Sequence, residues 1–364
     1  MIWQVDRQRT TRLDVLGTKE NVYLSPENPN AYNRFSPSAM PSYPAFGFET
    51  TAQEVSATFS EEIKGKNVLI TGTSLNGIGF ETARVIAKYA NLVVITGYNE
   101  ERLALSEEAI KKETPTANVR RLILDLSSLE AVRKAAAEVN AYAEPIHVLI
   151  NNAAAGLREF KLSVDNLEVQ LATDYVGPFL FTNLLKGKLL AAASATYTPR
   201  VVFVSSIAHA VGTGVDLDFL KSPTENKYPP EMVYFQAKSA NVSTALELSR
   251  RSKGAILGYS LHPGIIYTNI NRGNEDVLPV LRRVGILDAN GEPNTKDFQW
   301  KTIPQGAATT VAAAFDPRLV ENPGAYLSDA TVSNEMAAPH STDPAITATL
   351  WAATEEIIGE KFEF

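Results

Sequence analysis

The sequence predicts an α/β fold, a doubly wound parallel sheet flanked by helices, and three observations carry that expectation. Short uncharged β-forming runs alternate with amphipathic helical stretches along most of the chain. The first run, 68–70, leads through the glycine turn Gly72…Gly77-Ile78-Gly79 into a helix. The later runs end in small or polar residues: Gly97, Asp125, Asn151, Ser206 and Pro263-Gly264. In such a sheet these ends share one edge, outside which ligands bind.

Residues 50–64 place Val55, Phe59 and Ile63 at i, i+4 and i+8 among polar neighbours, which predicts a helix. After the glycine turn, Ala83, Val85, Ile86, Ala87 and Tyr89 can line one face of a helix that runs from Phe80. A second strand over 92–96 precedes a helix over 100–113. A third strand over 119–124 precedes a helix over 128–141, with Ser127 or Ser128 as its cap. A fourth strand over 148–150 is followed by one long helix over about 164–190. Next come a fifth strand at 201–204, a strong helix at 233–251 and a sixth strand at 255–261. A loop-rich stretch at about 270–303 precedes a helix at 305–315, a short strand at 325–327 and a final helix at about 345–358. Residues 1–43 read as an irregular N-terminal arm and 44–364 as a single domain.

The chain has 364 residues, 45% hydrophobic and 21% charged, enough for a sizeable core. Its net charge of −7 gives no global attraction to nucleic acid or an anionic membrane surface, so neither is an expected partner. No run approaches the roughly 20 apolar residues of a membrane span. Gln4, Asp6, Arg7 and Arg9 interrupt any secretory leader, and a cytoplasmic location is expected. The absence of cysteine excludes thiolate metal sites and cysteine nucleophiles. His147, His209, His262 and His340 are scattered without ligand spacing, so no metal is expected. His209 lies three residues after Ser206, and packing or hydrogen bonding is its expected role. No GxSxG elbow surrounds Ser205 or Ser206, which argues against a hydrolase nucleophile.

A helix that begins at a glycine turn aims free N–H groups and its positive dipole end at the turn, which suits a phosphate. On the glycines alone, a bare strand-to-helix turn is an equal reading. Tyr234 and Lys238 lie four apart on a predicted helix and share a face. An ammonium about one turn away favours the phenolate, so such a phenol can trade a proton with an alcohol or carbonyl oxygen near neutral pH. Ser206, at a strand end, can hydrogen-bond the same oxygen. A Tyr–Lys pair alone commonly marks a solvated helix face. Its place after a Ser-Ser strand end and a glycine turn, in that order, makes chemistry the stronger reading.

At this point the chain resembles the short-chain dehydrogenase/reductase family. The carrying residues are Thr71-Gly72…Gly77-Ile78-Gly79, Leu124-Asp125-Leu126, Asn151-Asn152-Ala153, Ser205-Ser206, Tyr234…Lys238 and Pro263-Gly264…Thr268. Within the family it looks most like the retinol-dehydrogenase and WW-domain-oxidoreductase-like branch, in particular its fungal members. Gly177-Pro178-Phe179, Ile207-Ala208-His209, Asp216-Leu217-Asp218 and the block 324–329 support that placement. The resemblance covers about residues 44–362 and implies one Rossmann-like domain. It implies Tyr234 as general acid/base, Ser206 orienting the substrate oxygen, and Lys238 both tuning the tyrosine and holding the nicotinamide ribose. By the same resemblance the glycine turn, with Gly72, Ser74, Asn76, Gly77, Ile78 and Gly79, cradles the pyrophosphate. Asp125 and Leu126 would meet the adenine, Asn151 and Ala153 the ribose region, and Ile266 and Thr268 the carboxamide. Relatives often associate through the helices at 164–190 and 233–251, so a homo-oligomer is an open expectation.

Three departures from the family pattern stand out. The glycine turn carries one extra residue, at Asn76. Asp174 occupies the position of the family's catalytic asparagine. An aspartate there loses the amide donors, and its charge favours a protonated lysine. Asn151-Asn152-Ala153 is followed by Ala154-Ala155-Gly156 instead of an immediate glycine. At the end of the second strand, Gly97-Tyr98-Asn99 offers no acid to repel a 2′-phosphate, so NADP(H) is the expected cofactor and Asn99 a candidate contact, with NAD(H) left open. The expected activity interconverts a ketone or aldehyde and an alcohol on a hydrophobic small molecule, such as a terpenoid or polyketide secondary metabolite. The stretches 208–232 and 270–303 would supply its apolar pocket through residues such as Val211, Leu217, Phe219, Leu220, Leu278, Val280 and Leu281. The rivals are a nucleotide-binding scaffold without turnover and a C=C reductase or dehydratase on the same fold.

Overall fold

Predominantly apolar runs become the inner strands of one twisted sheet, because such segments can be covered on both faces. The structure is a computed structural model that describes residues 43–227, 229–268 and 278–364, with backbone alone at Lys227. The expectation for the arm falls almost wholly on residues outside that set. Pro44–Phe364 forms a compact unit.

The strands in chain order are β1 Asn67–Ile70, β2 Leu92–Gly97, β3 Val119–Ile123, β4 Val148–Asn151, β5 Arg200–Val204, β6 Leu257–His262, β7 Ile265–Ile266, β8 Trp300–Lys301, β9 Tyr326–Ser328 and β10 Thr331–Val332. Among the described residues the main sheet runs β10-β9-β6-β5-β4-β1-β2-β3, and every pair is parallel except β9–β10. The order reverses between β1 and β4, the switch point at which open parallel sheets bind ligands. β7 and β8 form a separate parallel pair that joins Ile266 to Lys301; neither was expected from the sequence.

Helices Ala52–Thr58, Ile78–Ile86 and Ile303–Phe315 pack together on one face. On the other, Leu129–Asn140, Gly177–Leu184 and Pro230–Arg251 share a core with Leu69, Val94, Leu149 and Val201. The C-terminal helix Pro344–Ile358 lies over Pro230–Arg251. Its Trp351 is buried, edge-on to Phe179 at a centroid distance of 4.6 Å, and Phe362 packs on the same ring at 6.0 Å. The chain therefore covers with its own C-terminus part of the helix surface that the resemblance assigned to a second copy.

The single helix expected over 164–190 is broken. Glu168 caps its start by accepting the Leu171 N–H, so helix begins only at Val169. Ala172–Val176 is a π turn, closed by Gly177 N–H to Ala172 O. The cause is local: Pro178 has no N–H to give to the Asp174 carbonyl, so the regular ladder cannot continue there. Gly177 is also forced by its neighbour, since a Cβ there would lie 2.2 Å from Leu126 O. A second break at Leu185 separates Gly177–Leu184 from Lys186–Leu190.

Candidate active site

Thr71, just past β1, ties the first strand end to the fourth. Its N–H donates to Ile150 O at 2.9 Å, and its Oγ1 accepts the N–H groups of Asn152 and Ala153 at 3.0 Å. Asn152 Nδ2 donates to the carbonyls of Thr71 at 2.9 Å and Gly72 at 3.0 Å. The packing is so close that a Cβ on Gly79 would meet the Asn152 side chain at Nδ2, 2.3 Å away, and Gly72 O at 2.4 Å. Asn76, the extra residue, sits at φ 60, a left-handed conformation that asparagine tolerates better than most residues.

Gly77 begins the helix Ile78–Ile86 without a side-chain cap. The helices after Asn99 and Ser128 are capped by those side chains. The first-turn donors at Ile78 and Gly79 therefore face the switch point with no side-chain acceptor, and Ser74 lies in the turn before them, its carbonyl accepting the Gly77 N–H at 3.2 Å. At the end of β4, Asn151 Nδ2 donates to Thr182 Oγ1 at 3.0 Å, while its buried Oδ1 has no hydrogen-bond partner. Unanswered donors and an orphaned buried acceptor at one sheet edge fit a dinucleotide with phosphate and ribose groups.

Asn99 and Asp125 lie at the ends of β2 and β3, with their side chains in local turns. Asn99 Oδ1 accepts Arg102 N–H at 2.9 Å, and Asp125 Oδ1 accepts Ser127 N–H at 2.9 Å. Leu126 is buried, with its carbonyl against Gly177. Ile266 lies in β7 against Gly306, and Thr268 is buried beyond it.

The Ser205-Ser206 strand end is pinned to the Pro230–Arg251 helix, because Ser205 Oγ donates to Lys238 O at 2.7 Å. Ser205 is buried and spent on this bond, whereas Ser206 is half-buried, its Oγ accepting Ala208 N–H at 3.2 Å. Lys238 Nζ lies 3.2 Å from Asp174 Oδ2 and 3.5 Å from Val204 O, and 5.3 Å from the Tyr234 ring centroid. The Asp174 contact is an ion pair without hydrogen-bond alignment at Oδ2; Oδ1 accepts Ala155 N–H at 2.6 Å. Burial alone would pull Lys238 down, but Asp174 and then Tyr234 outweigh it and hold the ammonium above its ordinary range. The structure thus brings Tyr234, Lys238, Asp174 and the serine strand end together.

A short chain dehydrogenase family model matches residues 66–215. The chain is 36% identical over 294 residues to the short-chain dehydrogenase TIC 32 A, chloroplastic, of Brassica napus, covering 79% of this chain and 87% of that one. The chain belongs to the short-chain dehydrogenase family. This short-chain dehydrogenase is also 33% identical over 319 residues to human WW domain-containing oxidoreductase, covering 86% and 72% of the two chains. Human retinol dehydrogenase 13 and prx1 of Penicillium rubens are further relatives, at 30% and 33% identity over 302 residues each, covering 82% and 80% of this chain and 86% and 84% of theirs. The branch expected from the sequence is therefore the right one. A solved 3-oxoacyl (acyl-carrier-protein) reductase of Agrobacterium tumefaciens C58 with NADP bound shares the fold at a TM-score of 0.54, with 20% identity over 73% of this chain and 93% of that chain.

Two features of this short-chain dehydrogenase complete the surroundings of Tyr234 and Ser206. The first is the apolar wall. Phe219 and Leu220 are buried in the main core, half-buried Leu217 packs against it, and none of the three joins the cluster around Tyr234. Val280 and Leu281 do gather beside Tyr234, and they are joined there by Leu157, Leu287, Tyr267 and Trp300. The aromatic pair beside Ile266 was a signal that could have been read; its rings lie 6.3 Å apart. Tyr228 and residues 269–277, within the two expected pocket stretches, lie outside the described residues. The second feature is a strut under the strand end. His209 is buried, with Nδ1 on Ser206 O at 2.7 Å and Nε2 accepting Ala338 N–H at 3.1 Å. That is the hydrogen-bonding role expected of it. His262 Nδ1 accepts Ile207 N–H at 3.1 Å, and burial first, then Lys301, lowers it to about 4.

Proposed function

We propose that this short-chain dehydrogenase interconverts a ketone or aldehyde and an alcohol on a hydrophobic small molecule, using NADP(H), with Tyr234 as general acid/base. One observation carries the reading: half-buried Tyr234 stands between the Lys238–Asp174 pair and an apolar wall that includes Leu157, Val280 and Leu281. In reduction, Tyr234 O–H gives its proton to the substrate oxygen while the Ser206 hydroxyl holds that oxygen in place. In oxidation the proton returns. The nicotinamide supplies or accepts the hydride.

Lys238 would hold the nicotinamide ribose. Gly72, Ser74, Asn76, Gly77, Ile78 and Gly79 would take the pyrophosphate on the uncapped helix start. Asp125 and Leu126 would flank the adenine, Asn151 and Ala153 the ribose region, and Ile266 and Thr268 the carboxamide. The acid-free end of β2, with Asn99 as a further contact, favours NADP(H) over NAD(H). The similarity to the Penicillium rubens protein, taken as analogy, favours a secondary metabolite such as a terpenoid or polyketide. Among the described residues no helix is long and apolar enough to cross a membrane. The reading places the enzyme in the cytoplasm, and imaging of the tagged chain tests this, since the Brassica relative is chloroplastic by name. Association through the Phe179 face is not part of the reading, because Trp351 and Phe362 occupy it.

The test is consumption of NADPH and NADH with carbonyls graded by hydrophobicity. NADPH should be preferred, and kcat/KM should rise with apolar area. Binding of NADPH with no turnover of any carbonyl would overturn the reading in favour of a scaffold. Saturation of a C=C bond, or loss of water from the substrate, would favour the other rival.

A further inference from the structure

Asp174 stands where asparagine is expected, and the π turn places it on Lys238. Its Oδ2 is 3.2 Å from the ammonium, with side-chain exposures of 4% for Lys238 and 0% for Asp174. The Ala155 N–H fixes the other oxygen at 2.6 Å. Opposite charges held this close offset one another at a nearby group. Tyr234 is such a group, with its ring centroid 5.3 Å from Nζ.

We propose that Asp174 is a positioning residue that offsets the Lys238 charge at Tyr234, favours its protonated form and so leaves the resting site poised to give a proton to a carbonyl oxygen. The proposal rests on Tyr234 being the general acid/base. In the step concerned, hydride from a reduced nicotinamide forms the new C–H bond, the C=O π bond opens, and its oxygen takes the Tyr234 proton. The carbonyl is reduced and the nicotinamide oxidised. An uncompensated lysine would favour the phenolate, the form that removes a proton from an alcohol.

The other charged groups named on neighbouring elements have their own partners. Glu231, on the same helix, is paired with Arg283 at 2.6 Å. Arg158, from the loop after β4, donates to Ala155 O at 2.7 Å. Glu168, one turn before the π turn, accepts Leu171 N–H at 2.9 Å. Behind Gly264, Lys301 is paired with Asp329 at 2.6 Å. His209 and His262, at the serine end, are both lowered, by burial first, and so stay neutral near pH 7.

Ultraviolet titration of the phenolate band tests this without a substrate. Subtracting the same protein carrying Tyr234→Phe isolates one tyrosine among thirteen. With Asp174→Asn, the Tyr234 band should appear at a pH lower by about one unit or more. With Asp174→Asn and Lys238→Met together, it should return to within about half a unit of the parent, because one neutral pair replaces another. The double variant also avoids a buried unpaired lysine, so it keeps the test open if the single variant does not fold. A single-variant band at the parent's pH or higher, or a double-variant band well above the parent's, overturns the proposal. Turnover that survives Tyr234→Phe would overturn the acid/base reading while leaving the titration result standing, so the two failures are distinguishable.

Discussion

Gly72 and Ala153 meet backbone to backbone: a Cβ built on Gly72 would stand 2.6 Å from Ala153 Cα. Gly72 also holds φ +71, so a side chain there is strained as well as obstructed. The contact fixes the spacing between the glycine turn and the end of β4, the two walls of the proposed cofactor site. Gly72→Ala is expected to destabilise the fold by at least about 1–3 kcal/mol and to weaken NADPH binding. Gly359 is the control. It shares the left-handed conformation at φ +74, but nothing lies within 4 Å of its missing Cβ. Gly359→Ala should cost only about 1 kcal/mol and leave binding unchanged. Denaturant unfolding and NADPH fluorescence titration read both variants.

Tyr234→Phe removes a hydroxyl and leaves the ring in its apolar contacts. The expected loss in kcat is about a hundred- to ten-thousand-fold, with NADPH affinity held within about threefold. Steady-state kinetics and a binding titration on the same preparation check the split.

Trp351→Ala should destabilise the fold by about 3–5 kcal/mol. The indole is buried, packs edge-on to Phe179 and lies 4.9 Å from the Arg251 guanidinium. The neighbouring Thr354 hydroxyl is hydrogen-bonded to Tyr175 in the π turn. Loss of the indole should therefore loosen the turn that carries Asp174 and bare an apolar helix face. Chemical denaturation should show the first effect, and concentration-dependent light scattering the second.

Acid should destabilise this protein before its carboxylates titrate. His262 and His147 are each lowered from 6.5 to about 4, burial being the first cause in both. A depressed histidine means that the unfolded chain binds the proton more readily. Stability is therefore full above about pH 6.5 and falls as pH drops toward about 4. Each ring uses Nδ1 as an acceptor, His262 from Ile207 N–H and His147 from Asn67 N–H at 3.0 Å, and protonation ends both bonds. His262→Asn keeps an acceptor without a titrating ring. Its unfolding free energy should fall less than the parent's between about pH 6.5 and about pH 4.5, as urea denaturation at both values would show.

The parts of the site that follow from consecutive residues were legible. Alternating apolar runs marked the inner strands, and the polar ends of those runs marked the binding edge. The Tyr234–Lys238 spacing marked a shared helix face. Residues whose environment comes from distant segments were harder. Asp174 was seen as a departure, but its ion pair with Lys238 depends on the π turn, which arises from Pro178 and from the approach of Gly177 to Leu126 O. Leu220 and Val280 look alike in the sequence, yet one enters the main core and the other the wall beside Tyr234.

The sequence by itself determined the fold class, the family and the order of the candidate site groups, because periodicity, turn chemistry and motif spacing are properties of neighbouring residues. Tertiary structure alone decided three things. It set which charge answers Lys238, which apolar residues wall Tyr234, and that the C-terminal helix covers the Phe179 face. Each is a contact between segments far apart in the chain, selected by which surfaces exclude water together and not by local propensity.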